Sequence, residues 1–148
     1  MKARIEFPEI PQKIMSSMMF IEKHIGEMGF SDGLLELIRL RVSYINGCDY
    51  CVNMHFKEAL EKGEDLHRLY SVPLWKDSVF YSEQERACMA WAEYVTLPAG
   101  VYNGQTLFEN LLTHFDKAAI ANLTLAIIQI NAWNRLMKSF GINAGLHR

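Results

Sequence analysis

Between Asp116 and Gly141 the chain carries a stretch that is apolar on nearly all sides of a helix from Ala118 to Ile130. A helix of that kind has no solvent face, so other helices must surround it, either from the same chain or from partner subunits. Asp116 supplies an N-cap oxygen, and Gly141 a stop just beyond Phe140. Asn122, Thr124, Gln129 and Asn131 break the apolar run, which leaves it too short and too polar to span a membrane.

The preceding residues supply helices to pack round it. Pro11 can open a first helix with an apolar stripe through Ile14, Met18, Ile21 and Ile25, loosened at its end by Gly26 and Gly29. Ser31 or Asp32 can cap a second helix, Gly33 to Ile45, and Asn46-Gly47 is a turn signal. A third helix begins near Cys48 and runs to Lys62, where Gly63 can end it. Glu64 to Tyr70 reads as a short helix, and Ser71 to Tyr81, with Pro73, mostly as loop. Ser82 and Glu85 form a capping-box pattern that opens a helix to about Thr96. Pro98, Gly100 and Gly104 mark a break before a helix from Gln105 to Phe115. No alternating β-branched run between turn signals is present. The expected fold is therefore all-α, one domain spanning residues 1–148, a bundle of six to seven helices.

Half of the 148 residues are hydrophobic, 22% are charged and the formal net charge is −2. Such a composition suits one globular domain and gives no basic footprint for nucleic acid. The first residues carry no long apolar run after their charges, so a secretory signal is not expected and a cytoplasmic location is. In a reducing compartment a close cysteine pair points to catalysis, redox chemistry or metal binding rather than to a structural disulfide.

Such a pair lies in NGCDYCVNMH, Asn46 to His55. On a helix Cys51 falls about 60° from Cys48, with His55 between them in angle, so all three share one face. The cysteines sit in the first turn, where unpaired N–H groups and the helix dipole favour a thiolate. His55, one turn on from Cys51, can serve as its base or hydrogen-bond partner. Three readings are open: small side chains on a buried face, a metal site, or redox chemistry. Structural zinc needs four ligands, and only His67 and Cys88 are candidates for the fourth place. Haem attachment needs a histidine directly after the second cysteine, where Val52 stands. The spacing favours an activated dithiol, with no metal and no cofactor expected.

The segment LLELIRLRVSYINGCDYCVNMHFKEAL, Leu34 to Leu60, resembles the core motif of the alkylhydroperoxidase D and carboxymuconolactone decarboxylase-like families. Tyr81 to Thr96 and Leu123 to Leu136 are similar to later helices of short members of these families. The resemblance implies an all-helical fold that assembles as trimers or hexamers. It further implies a peroxidase that reduces hydroperoxides through the CxxC pair, with a dithiol reductant or reductase to reopen the disulfide. By position, Cys51 would be the peroxidatic thiol, Cys48 the resolving thiol, and His55 with Glu36 the proton relay. The better-known enzyme has a second histidine between the cysteines, where this chain has Tyr50. The decarboxylase branch acts on a lactone acid without a CxxC pair, and a redox-sensing or scaffold oligomer would use the same two thiols without turnover.

Without that resemblance Glu36 reads as a solvated partner of Arg39, on a polar strip shared with Ser43. Cys88 lies on an apolar helical face and reads as buried and inert. Arg41, on the apolar side of its helix, must snorkel or pair with an acid, an interface partner included. Trp133, Asn134 and Arg135 read as packing rather than as site lining. His24, His67, His114 and His147 have no partners evident in sequence.

Overall fold

A computed structural model describes residues 2–144; His147 lies outside them. Seven α-helices follow in order: α1 (Gln12–Gly26), α2 (Asp32–Asn46), α3 (Asp49–Glu61), α4 (Leu66–Ser71), α5 (Glu83–Thr96), α6 (Gly104–Leu112) and α7 (Lys117–Phe140). Two 3-10 turns, Phe7–Glu9 and Val72–Leu74, are added, the second within the segment expected as loop. No strand occurs among the described residues.

Local chemistry sets the boundaries. The Ser31 and Asp116 side chains accept from the backbone N–H of Leu34 and Ala119, and Ser82 and Glu85 close a reciprocal capping box. Asp65 caps α4, which starts at Leu66 rather than at the expected Glu64. Asn103 caps α6, which ends at Leu112, short of the expected Phe115.

As the apolar run requires, α7 packs against α1, α2, α3, α5 and α6. Its inward residues Leu123, Ile127 and Ile130 join Leu34, Ile38 and Val42 of α2 and Ala87, Cys88 and Ala92 of α5 in one cluster. Each large aliphatic side chain buried there contributes about 1.5–3 kcal/mol of transfer free energy. Surrounding α7 does not cover it completely, since Ile128 is half exposed. The most enclosed helix is α2, which carries eight buried residues and lies between α3, α5 and α7. No described helix is long and apolar enough to cross a membrane.

Two buried polar groups tie the bundle across helices. Asn46 donates to Asn131 and Asn134 of α7, both at 2.9 Å, and Asn134 donates to Ser43 at 3.0 Å. Glu93 of α5 receives Arg41 of α2 at 2.8 Å, Trp75 Nε1 at 2.7 Å, Lys76 at 2.8 Å and the Tyr102 hydroxyl. Arg41 thus finds its acid within the chain. Among the described residues no buried side-chain nitrogen or oxygen lacks a hydrogen-bond partner.

Candidate active site

The site grows out of the two-residue link between α2 and α3. Gly47 takes a left-handed conformation (φ 61°) that ends α2, and the Cys48 N–H returns to the Ser43 carbonyl. Cys48 is then the N-cap of α3, its sulfur accepting from the Cys51 N–H at 3.4 Å. So short a link folds α3 back antiparallel on α2, which brings His55 against Glu36, 19 positions earlier.

Cys48 and Cys51 are joined by a disulfide, and both are buried. They pack with Met137 and Ile142, beside Phe7, Tyr50 and Trp133. His55, 5% exposed, holds Glu36 Oε2 through Nδ1 at 2.8 Å. Glu36 is 0% exposed, and its other oxygen receives Arg39 at 2.9 Å and Lys62 at 3.0 Å. Arg39 also binds Glu22 at 2.8 Å, and Trp133 Nε1 donates to Glu22 at 2.8 Å. The solvated Glu36–Arg39 pair read from the residues alone is therefore overturned. The strip bearing Glu36, Arg39 and Ser43 meets His55, Asn134 and Glu22 instead of water. Burial opposes ionisation of Glu36, but the His55 hydrogen bond and charge, with Arg39 and Lys62, outweigh it and hold the carboxyl at about 2. Burial likewise opposes a charged His55, yet Glu36 and Glu58 raise it above its ordinary value.

A cavity of about 370 Å³ opens beside these groups. Cys51, His55, Arg39 and Glu58 give it a polar edge, while Met15, Met19, Met54 and Met137 with Phe7, Tyr50 and Trp133 make the rest mostly apolar. Trp133 lines this space rather than serving as packing alone; Asn134 and Arg135 are structural, the latter binding Asn131. Tyr50, at the place of the family's second histidine, packs against Phe7 with ring centroids 5.8 Å apart. Burial and Glu58 push its phenol up, so it presents a neutral hydroxyl.

Of the four sequence candidates, Cys51 and His55 line this edge, while Cys48 and Glu36 lie buried behind them, joined through the disulfide and the Nδ1 hydrogen bond. Glu22, Arg39 and Glu58 complete it. Glu58, one helical turn beyond His55, could have been found from i,i+3 spacing. Glu22 could not, because its approach depends on how α1 crosses α7. Among the described residues His24, His67 and His114 do not line the cavity, and Cys88 is in the core, where burial pushes its thiol up to about 12. One ligand atom from each of Glu36, His55 and Glu58 lies within 4.8 Å of the others, a spacing a metal ion could use. Both Glu36 oxygens are already engaged by His55, Arg39 and Lys62, so these donors serve an ion-pair network and we assign them no metal.

The model of the carboxymuconolactone decarboxylase family matches residues 12–94. An uncharacterised Bacillus subtilis protein, YdfG, is 34% identical over 144 residues, 97% of this chain and 98% of its own. A crystal structure from Agrobacterium tumefaciens, of a protein of unknown function with a suggested antioxidant-defence role as AhpD, superposes with a TM-score of 0.90. It is 34% identical and covers 96% of this chain and 97% of its own. The debrominase Bmp8, solved with 2,3,4-tribromopyrrole, shares the fold at a TM-score of 0.76 and 19% identity, over 85% of this chain and 67% of its own.

Proposed function

The chain belongs to the carboxymuconolactone decarboxylase family, and we propose that within it the protein is a thiol peroxidase that reduces organic hydroperoxides through Cys51 and Cys48. The observation that carries this reading is the placement of a CxxC sulfur and a carboxylate-held imidazole on one cavity wall. In the reduced protein the Cys51 thiol gives its proton to His55, and the start of α3 favours the thiolate left behind. That sulfur attacks the terminal oxygen of ROOH. The O–O bond breaks, Cys51 becomes a sulfenic acid, and the departing alkoxide takes the proton from His55 to leave as ROH. The Cys48 sulfur then displaces hydroxide from the sulfenic sulfur, and the Cys48 proton completes a water molecule. The product is the Cys48–Cys51 disulfide, the bond present in this structure.

A dithiol reductant or reductase restores the pair by exchange. Glu36 fixes the orientation of the imidazole and supports its charge. The cavity has room for an alkyl or aryl group, which favours organic hydroperoxides over hydrogen peroxide. A cytoplasmic location and a homotrimer or homohexamer belong to the same proposal. Phe20, 75% exposed on α1, and Ile128, 52% exposed on α7, are apolar surface that a second copy would cover.

Consumption of cumene hydroperoxide with dithiothreitol as reductant tests the reading. Wild-type protein should turn over many times, Cys51→Ser should lose turnover, and Cys88→Ser should keep it. Oxidation of the pair once without cycling would make the protein a redox sensor. An activity that survives loss of both thiols would point to decarboxylase-type chemistry instead.

A further inference from the structure

We propose that Glu58 is a positioning residue of this site, the second counter-ion of His55, which keeps the imidazole protonated. Charged groups surround the imidazole from three sides. Glu36, Arg39 and, beside Lys62, Asp32 approach from α2, Glu58 and the Tyr50 phenol belong to α3, Lys62 is its C-cap, and Glu22 reaches Arg39 from α1. The facing residues of α7, Ile130, Trp133 and Met137, are uncharged.

Glu36 is usually enough to explain a charged imidazole, but here its single charge is divided. Oε1 is shared by Arg39 and Lys62, and only Oε2 serves His55. Glu22 balances Arg39. With an imidazolium, three cations stand in the cluster: Arg39, Lys62 and His55. Glu22 and Glu36 supply two negative charges, and Asp32 stands 4.0 Å from Lys62, so the second carboxylate at the imidazole itself is Glu58. Its Oε2 lies 3.6 Å from the same Nδ1 that Glu36 holds. That separation is a charge contact rather than a hydrogen bond. Both residues are on α3, at i and i+3, so the helix itself sets their approach.

The two carboxylates differ in one respect that makes the role testable. Glu36 is 0% exposed, while the Glu58 side chain is 42% exposed and stands on the cavity edge. Salt therefore screens Glu58 and hardly touches Glu36. In the peroxidase reading, on which the functional part of this inference rests, His55 must be charged when the alkoxide leaves. Losing Glu58 then moves the alkaline limb of the rate profile to lower pH.

The experiment is an NMR titration of the His55 ring protons in the oxidised protein, which needs no turnover and so decides the inference even if no peroxide is consumed. Glu58→Gln should lower the His55 midpoint, a drop in proton affinity on the order of threefold for a half-exposed pair. Glu58→Asp should fall between it and wild type. Added salt should lower the wild-type midpoint and leave that of Glu58→Gln where it is. A midpoint unchanged by Glu58→Gln, or one equally salt-sensitive with and without Glu58, overturns the proposal.

Discussion

Glu36 and Glu93 are two carboxylates in the same core with nearly the same surroundings and opposite destinations. Each is almost fully buried, each faces an arginine of α2 and a lysine, and each is held at about 2 against a burial cost that alone would raise it. The arginines are Arg39 and Arg41, two positions apart on opposite sides of one helix. Yet the remaining partners of Glu93 are the Trp75 indole and the Tyr102 hydroxyl, which donate hydrogen bonds to it, whereas Glu36 ends on a histidine beside a cavity and a disulfide. A buried, strongly acidic carboxylate is thus no mark of a reactive site by itself. What separates the two is an imidazole partner, raised above its ordinary value, and a space beside it for a second molecule.

Neutralising each carboxylate breaks the comparison most directly. Glu36→Gln keeps a hydrogen-bonding group but removes the charge that orients His55, and should lower cumene hydroperoxide turnover by about 100-fold. Steady-state rates on protein shown folded by circular dichroism check this. Glu93→Gln should leave turnover per folded molecule unchanged. Its cost is stability, because Arg41 lies largely buried without its counter-charge, and denaturant unfolding should show a loss of about 3 kcal/mol. Equal loss of turnover in both variants would mean that Glu36, like Glu93, only holds the bundle together.

The contrast also marks where sequence stops being informative. The helices were legible because their ends are written locally, in Ser31, Ser82, Asp116 and the glycines at 47 and 141. The site was legible as far as one helix reaches: Cys48, Cys51 and His55 share a face by periodicity alone. Glu36 was not, because a Glu–Arg spacing of three looks the same on a solvated surface and under two other helices. Only the family motif promoted it. Arg41 showed that it needed an acid but not which one, since Glu93 is 52 positions away. The methionines were visible as apolar surface, and their gathering at one cavity came from the crossing of α1, α3 and α7.

The smaller effect, and the one that separates the two clusters without touching the cavity, lies in the pH dependence of stability. Both carboxyls are depressed from 4.5 to about 2, so both stabilise the fold above about 4.5 and lose that contribution as pH falls through 2. The acid arm is common to the two. His55 is raised above its ordinary 6.5, first against burial and then by Glu36 and Glu58. A raised group contributes stability that is complete below 6.5 and disappears as pH rises through the folded value. The raised partner of Glu93 is Lys76, whose ordinary value is 10.5, so the loss of stability between neutrality and pH 9 belongs to the Glu36 cluster. Melting temperatures taken between pH 6 and pH 9 should fall in the wild type and in Glu93→Gln, and should flatten in Glu36→Gln. The same alkaline fall in all three proteins would assign it to groups outside the site and remove the electrostatic distinction between the two clusters.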